Sequence, residues 1–222
     1  MKKIIAQNKK ELPENDIKSI LQNIEKIQLE PHSDTPWLIH YSKLFHWCYE
    51  QLTITHAGGS HIGKTSAESL LFTRQATGCH DVAIVYSYLL SKMGYQTQIV
   101  DTMGVEWADS FNKRPTDGNM AGHVFVELTL PSEDKVIIDP SSSNYIDDYS
   151  QESEIICLPS GSQSAYFILY KAQTPNENSI NSHDDLQTLM KSTAKKYRQA
   201  ITSYRSQNNP PSLFKTFPKT IK

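Results

Sequence analysis

The sequence predicts an α+β protein. One buried helix packs on an antiparallel sheet, and further helices are added at both ends of the chain. Three observations carry this. Residues 77–94, TGCHDVAIVYSYLLSKMG, place Val82, Ala83, Val85, Tyr86, Leu89, Leu90 and Met93 at three- and four-residue steps, the spacing of an apolar helical face. HVFVELTL and KVIID, separated by PSED, read as two strands of a hairpin. Helical patterns occupy 13–30, 35–52 and 183–206, and no βαβ array is legible.

In chain order, Ile17, Ile20, Leu21, Ile24 and Ile27 form one stripe, with Lys18, Glu25 and Lys26 between them. Pro13, Glu14 and Asp16 favour the start of that helix, and Pro31 ends it. A second helix over 35–52 carries Trp37, Leu38, Tyr41, Leu44, Phe45 and Cys48, which makes Cys48 a core residue. Glycines make HAGGSHIGK a loop. Thr65 and Glu68 have capping-box spacing and open a short helix with Leu70, Leu71 and Phe72. The central helix begins at Gly78–Cys79 and stops at Gly94. YQTQIV follows as a strand, and residues 101–122 read as a long loop bordering a cleft. After the hairpin, EIICL, with Cys157, and AYFILYK are strands. The expected organisation is a helical region over 1–64, a catalytic core over 65–175, a helix over 176–206 and a flexible tail over 207–222.

Composition narrows the functional classes. With 22 basic and 24 acidic residues the net charge is −2, so no field of either sign points to nucleic acid or a membrane surface. No apolar run approaches the roughly 18 residues of a membrane span, and the start lacks the apolar stretch of a secretory leader. A cytoplasmic protein is expected. Cys48, Cys79 and Cys157 are an odd, widely spaced set without a CxxC pair, as fits free thiols. No spacing asks for zinc at His56, His61 and His80, and no metal or cofactor is expected.

GGSHIGKT satisfies the letters of a phosphate-binding loop. Such a loop follows an apolar strand and opens a long helix. Here QLTITHA is a weak strand at best, so a polar loop is the favoured reading and nucleotide binding a third choice.

The chemistry-bearing residues fall into one constellation. A cysteine in the first turn of a helix meets unpaired backbone N–H groups and the positive end of the dipole, which stabilise a thiolate, the nucleophilic form. In the hairpin, His123 opens one strand and Asp139 ends its antiparallel partner, so both lie on one edge of the sheet. A base within reach of the thiol and oriented by a third group is what thiol catalysis needs. His80 is expected to face away from Cys79, since adjacent helical residues do not share a face.

GCHDVAIVYSYLLSKMGYQTQIV, GHVFVEL and VIIDPS together resemble the core of the transglutaminase-like superfamily. Three features make the set: a glycine-cysteine helix start, a histidine followed by apolar and acidic strand residues, and an aspartate-proline after the next strand. The resemblance covers about residues 74–145. It implies a papain-like α+β fold, with Cys79 as nucleophile, His123 as base and Asp139 as its orienter. Ile137 and Ile138 stand where many members carry an aromatic residue, and no matching oxyanion side chain is legible. Arg74 and Gln75 are candidate donors there, and Glu106 and Trp107 are candidates for lining the cleft. The expected function is acyl transfer on protein or peptide amides through a Cys79 thioester, ending in hydrolysis or, with an amine acceptor, crosslinking. The alternative is a peptide- or protein-binding module of the same fold.

Overall fold

The computed structural model describes residues 13–28, 35–55, 60–115, 120–149, 154–157, 165–206 and 215–216. The chain opens with α1 (Glu14–Glu25) and α2 (Pro36–Gln51). Then come β1 (Thr53–Ile54), α3 (Ala67–Thr73), β2 (Gln75–Ala76) and the central helix α4 (Cys79–Lys92). β3 (Gln96–Gly104) leads into α5 (Val105–Lys113), followed by β4 (Gly122–Thr129), β5 (Lys135–Ile138) and β6 (Asn144–Ile146). β7 (Ile155–Cys157) and β8 (Ala165–Ala172) precede α6 (His183–Lys196), α7 (Arg198–Ser206) and β9 (Lys215–Thr216).

Seven strands form one sheet in the order β7-β8-β3-β4-β5-β6-β9, every neighbouring pair antiparallel. The α+β expectation holds. β1 and β2 form a separate parallel pair just before α4. Strand alternation divides the apolar residues between two faces. Ile99, Val124, Val126, Leu128, Val136 and Ile138 pack with the apolar side of α4 and with Ile24, Tyr41 and Leu44 of the first two helices. Val100, Phe125, Ile137, Ile146, Tyr149 and Ile156 form a second cluster. A third joins α5, α6 and α7 to the end of β3 and to β8, through Met103, Phe111, Phe167, Met190 and Ile201.

α4 is buried along nearly its whole length, as its apolar spacing requires. Gly94 ends it at φ +98°, a left-handed position that favours glycine. Three expectations need correction. The long loop over 101–122 is largely ordered structure: β3 runs on to Gly104 and α5 follows at once. Val105, Ala108 and Phe111 recur at helical steps and are buried, and that burial outweighs the turn-forming residues around them. The cap of α3 is Ser66, whose Oγ accepts the Ser69 N–H, one residue after the expected Thr65. The 183–206 helix is two helices, broken at Tyr197 (φ −102°, ψ 24°).

Across the sheet, buried Glu127 of β4 pairs with Lys135 of β5 and Lys171 of β8, each at 2.7 Å. Removing the carboxylate charge leaves two cations without an anionic partner, Lys171 keeping its contact with the Tyr149 ring. Both lysines retain some access to water, so Glu127→Gln should cost about 2–3 kcal/mol, rather less than a fully dry pair. A lowered urea midpoint at unchanged slope is the expected readout. Among the described residues no helix is long and apolar enough to cross a membrane.

Candidate active site

Three elements converge at one end of the central helix. Gly78 caps α4 and leaves Cys79 as its first residue, half-buried at the edge of the main core. β4 begins at Gly122, so His123 stands at the strand's entry. Asp139 follows the last residue of β5, where the chain turns through Pro140 and three serines.

The hairpin register brings the last two together. His123 Nε2–H donates to Asp139 Oδ1 at 2.8 Å. The imidazole is 16% exposed and the carboxylate 7%. Asp139 is held from several sides. Its Oδ1 also accepts the Ser141 N–H at 2.9 Å, and its Oδ2 accepts the Ser142 hydroxyl at 2.9 Å. The Tyr41 hydroxyl reaches from α2 to the Asp139, Ser142 and Asn144 carbonyls at 2.7, 2.8 and 3.2 Å. Phe125 packs edge-on to the imidazole, ring centroids 4.8 Å apart, and Tyr166 lies at 5.8 Å.

Burial alone would push the His123 pKa down. The Asp139 charge and hydrogen bond, joined by a hydrogen bond and charge from Cys79, outweigh it and raise the value to about 10. Cys79 therefore lies within electrostatic reach of the ring. With Nε2 taken by Asp139, Nδ1 is the nitrogen left for the thiol. Burial opposes the Asp139 charge in the same way, but His123 and the serine hydrogen bonds win and lower its pKa. The arrangement can hold a proton on the ring between a carboxylate and a sulfur.

This coupling has a pH signature. A raised histidine contributes stability fully below its free value of 6.5 and loses it as pH climbs to about 10. A lowered aspartate contributes above its free value of 3.8 and loses that contribution in more acidic solution. The stability difference between the wild type and Asp139→Asn should therefore be greatest between about pH 4 and 6.5 and shrink on both sides. Denaturant midpoints across pH measure it.

The other candidate residues stand at the end of α3, on β2, on α5 and in the first turn of α4. The Arg74 guanidinium sits over the Trp47 ring, 4.6 Å from its centroid. Gln75 is exposed on β2, paired with Thr53. Trp107 stacks on Phe111 within the third cluster, and Glu106 is half-buried on α5. His80 turns into the interior, towards Asp101. Asp81 accepts the N–H and hydroxyl of Thr77 at 2.7 and 2.8 Å, which fixes the turn before Cys79.

Composition and spacing did not mark Tyr41, Ser142 or Tyr166 as neighbours of the site. The DPSSSN letters carried a turn signal for the serines. Tyr41 was legible only as a core position on its helix.

Gly58 and Gly59 of GGSHIGKT, and His56 ahead of it, lie outside the described residues. The strand before it has two residues and the helix after it seven. Lys64 and Thr65 instead help line a cleft of about 810 Å³ that runs along α4 past Ser87 and Tyr88 to Gln96 and Lys135. Cys79, His123 and Asp139 are not among its lining residues. Among the described residues no cluster of histidine, cysteine and acidic side chains could hold a metal ion.

No protein-family model matches the chain, and no curated protein matches it. One solved structure that does is of a candidate cysteine protease from Cytophaga hutchinsonii, 14% identical, with a TM-score of 0.44. The match covers 75% of this chain and 44% of that one, so the chain spans less than half the length of that protein.

Proposed function

We propose that the chain is a thiol-dependent acyl-transfer enzyme of the transglutaminase-like, papain-like type, acting on protein or peptide amides. The observation that supports this reading is the His123 imidazole, held by the Asp139 carboxylate at 2.8 Å and coupled to the Cys79 side chain. Cys79 Sγ attacks the amide carbonyl carbon, and the C–O double bond opens to an oxyanion. His123 hands its proton to the amide nitrogen as the C–N bond breaks, releasing an amine and leaving a thioester on Cys79. Water then attacks the thioester, giving up a proton to His123. The C–S bond breaks, and a carboxylic acid leaves with the thiolate restored. A primary amine in place of water gives a new amide. Asp139 keeps Nε2–H pointed at itself and so aims Nδ1 at the sulfur. Hydrolysis is the preferred outcome, because no dedicated amine site is legible.

The test is a mixture of unfolded proteins and peptides with a fluorescent primary amine, incubated with the wild type and with Cys79→Ala. New peptide termini, side-chain amides converted to acids, or amine incorporation, each absent with Cys79→Ala, are expected. Products that are equal in the two samples would sink the proposal.

A further inference from the structure

Directly after Cys79 the chain buries a second imidazole that the proposed chemistry does not use. His80 is 3% exposed and Asp101 of β3 is 2% exposed. His80 Nε2–H donates to Asp101 Oδ2 at 2.8 Å, and the Tyr170 hydroxyl of β8 donates to the same oxygen at 2.9 Å. Polar groups placed this deep are costly to bury and are stabilised only when paired. The trio fastens the first turn of α4 to two strands at once. Two turns further along, the Ser87 and Thr97 hydroxyls meet at 2.8 Å. Thr97 and Asp101 lie on one face of β3, so the helix is tied to that strand at two points.

The residue after Asp101 serves the other half of the site. Buried Thr102 is the register partner of His123. Its hydroxyl donates to the His123 carbonyl at 2.7 Å and accepts the His123 N–H at 3.3 Å. Gly122 is pressed against the same residue: a Cβ there would stand 2.4 Å from the Thr102 carbonyl oxygen. The β3–β8 register shifts between Asp101 and Thr102. Such irregularities re-aim side chains and gather beside functional sites.

We propose that Asp101–Thr102 is the positioning element of the Cys79–His123 pair. Asp101, clamped by Tyr170, sets the first turn of α4 through His80, and Thr102 sets the backbone of His123. Two consecutive residues on a central strand thereby fix the distance between sulfur and imidazole. The inference rests on the reading of Cys79 and His123 as the reacting pair. His80, Asp101 and Thr102 act through that pair and are positioning residues.

Iodoacetamide alkylation of Cys79 at neutral pH, read at the Cys79 peptide by mass spectrometry, tests this. His80→Leu, His80→Gln and Thr102→Val are compared in the wild-type and His123→Ala backgrounds, each with a thermal melt. His80→Leu and Thr102→Val should each slow alkylation about tenfold, since misplacement by about 1 Å is costly. His80→Gln should recover most of the rate, because its amide can donate to Asp101 near the place of Nε2. In the His123→Ala background neither substitution should change the rate by more than about twofold, as no imidazole is left to misplace.

Equal effects in both backgrounds would mean a purely structural role and overturn the inference. So would unchanged rates in His80→Leu and Thr102→Val while His123→Ala still slows alkylation. Alkylation indifferent to His123→Ala removes the pair itself, and the proposed function falls together with the inference. If His80→Leu lacks a cooperative melt, Thr102→Val and Tyr170→Phe decide by the same comparison.

Discussion

Cys79→Ala is expected to abolish amide turnover, by on the order of 10⁴-fold or more in kcat, with the fold intact. The thioester cannot form without the sulfur, and the other described thiol is unsuited to replace it. Cys48 is buried on α2, where desolvation pushes its thiol pKa far up despite a hydrogen bond from Tyr86. Among the described residues it has no imidazole partner of the His123 kind. Half-buried Cys79 leaves little cavity when shortened, so the melting temperature should move by only a few degrees, or about 1 kcal/mol. Single-turnover product analysis, beside a thermal melt, separates lost chemistry from lost fold.

His123→Ala should fall nearly as far, by on the order of 10³-fold or more, because in the proposed cycle the same ring takes and returns the proton at each step. Asp139→Ala should leave more activity than His123→Ala. The carboxylate orients and charges the ring without itself exchanging protons, and water can partly replace it. Asp139 also anchors its turn through Ser141 and Ser142, so this variant needs a folding check beside its rate. The predicted order of activity is wild type, Asp139→Ala, His123→Ala, Cys79→Ala. Asp139→Ala falling below His123→Ala in a folded sample would contradict the assigned roles.

The elements that the sequence revealed best are those whose burial follows a simple period. The 77–94 pattern gave α4 with Cys79 at its start, and the HVFVELTL–KVIID hairpin gave β4 and β5. Antiparallel pairing sufficed to place His123 beside Asp139, because strand ends meet whatever packs around them. What was hidden depends on tertiary contact. α5 looked like a loop because Gly104 and Pro115 flank it and its apolar positions matter only once α6 and α7 cover them. Tyr41 reaches the Asp139 turn from a helix far away in sequence, a contact that no local pattern encodes. Likewise, His80 could be seen to diverge from Cys79 by helical geometry, whereas its partners Asp101 and Tyr170 could not be named.

The proposed chemistry needs one imidazole shared between Asp139 and Cys79. Nuclear magnetic resonance of histidine-labelled protein, titrated across pH, tests it most directly. His123 is expected to keep the signature of a doubly protonated ring through neutral pH and to titrate well above 6.5, towards about 10. Burial pulls it down, but the Asp139 carboxylate and Cys79 together hold the proton on. Asp139→Asn should lower that titration, and Cys79→Ala should lower it as well. A His123 that titrates at or below 6.5 and is indifferent to Cys79→Ala would mean that the ring is not shared.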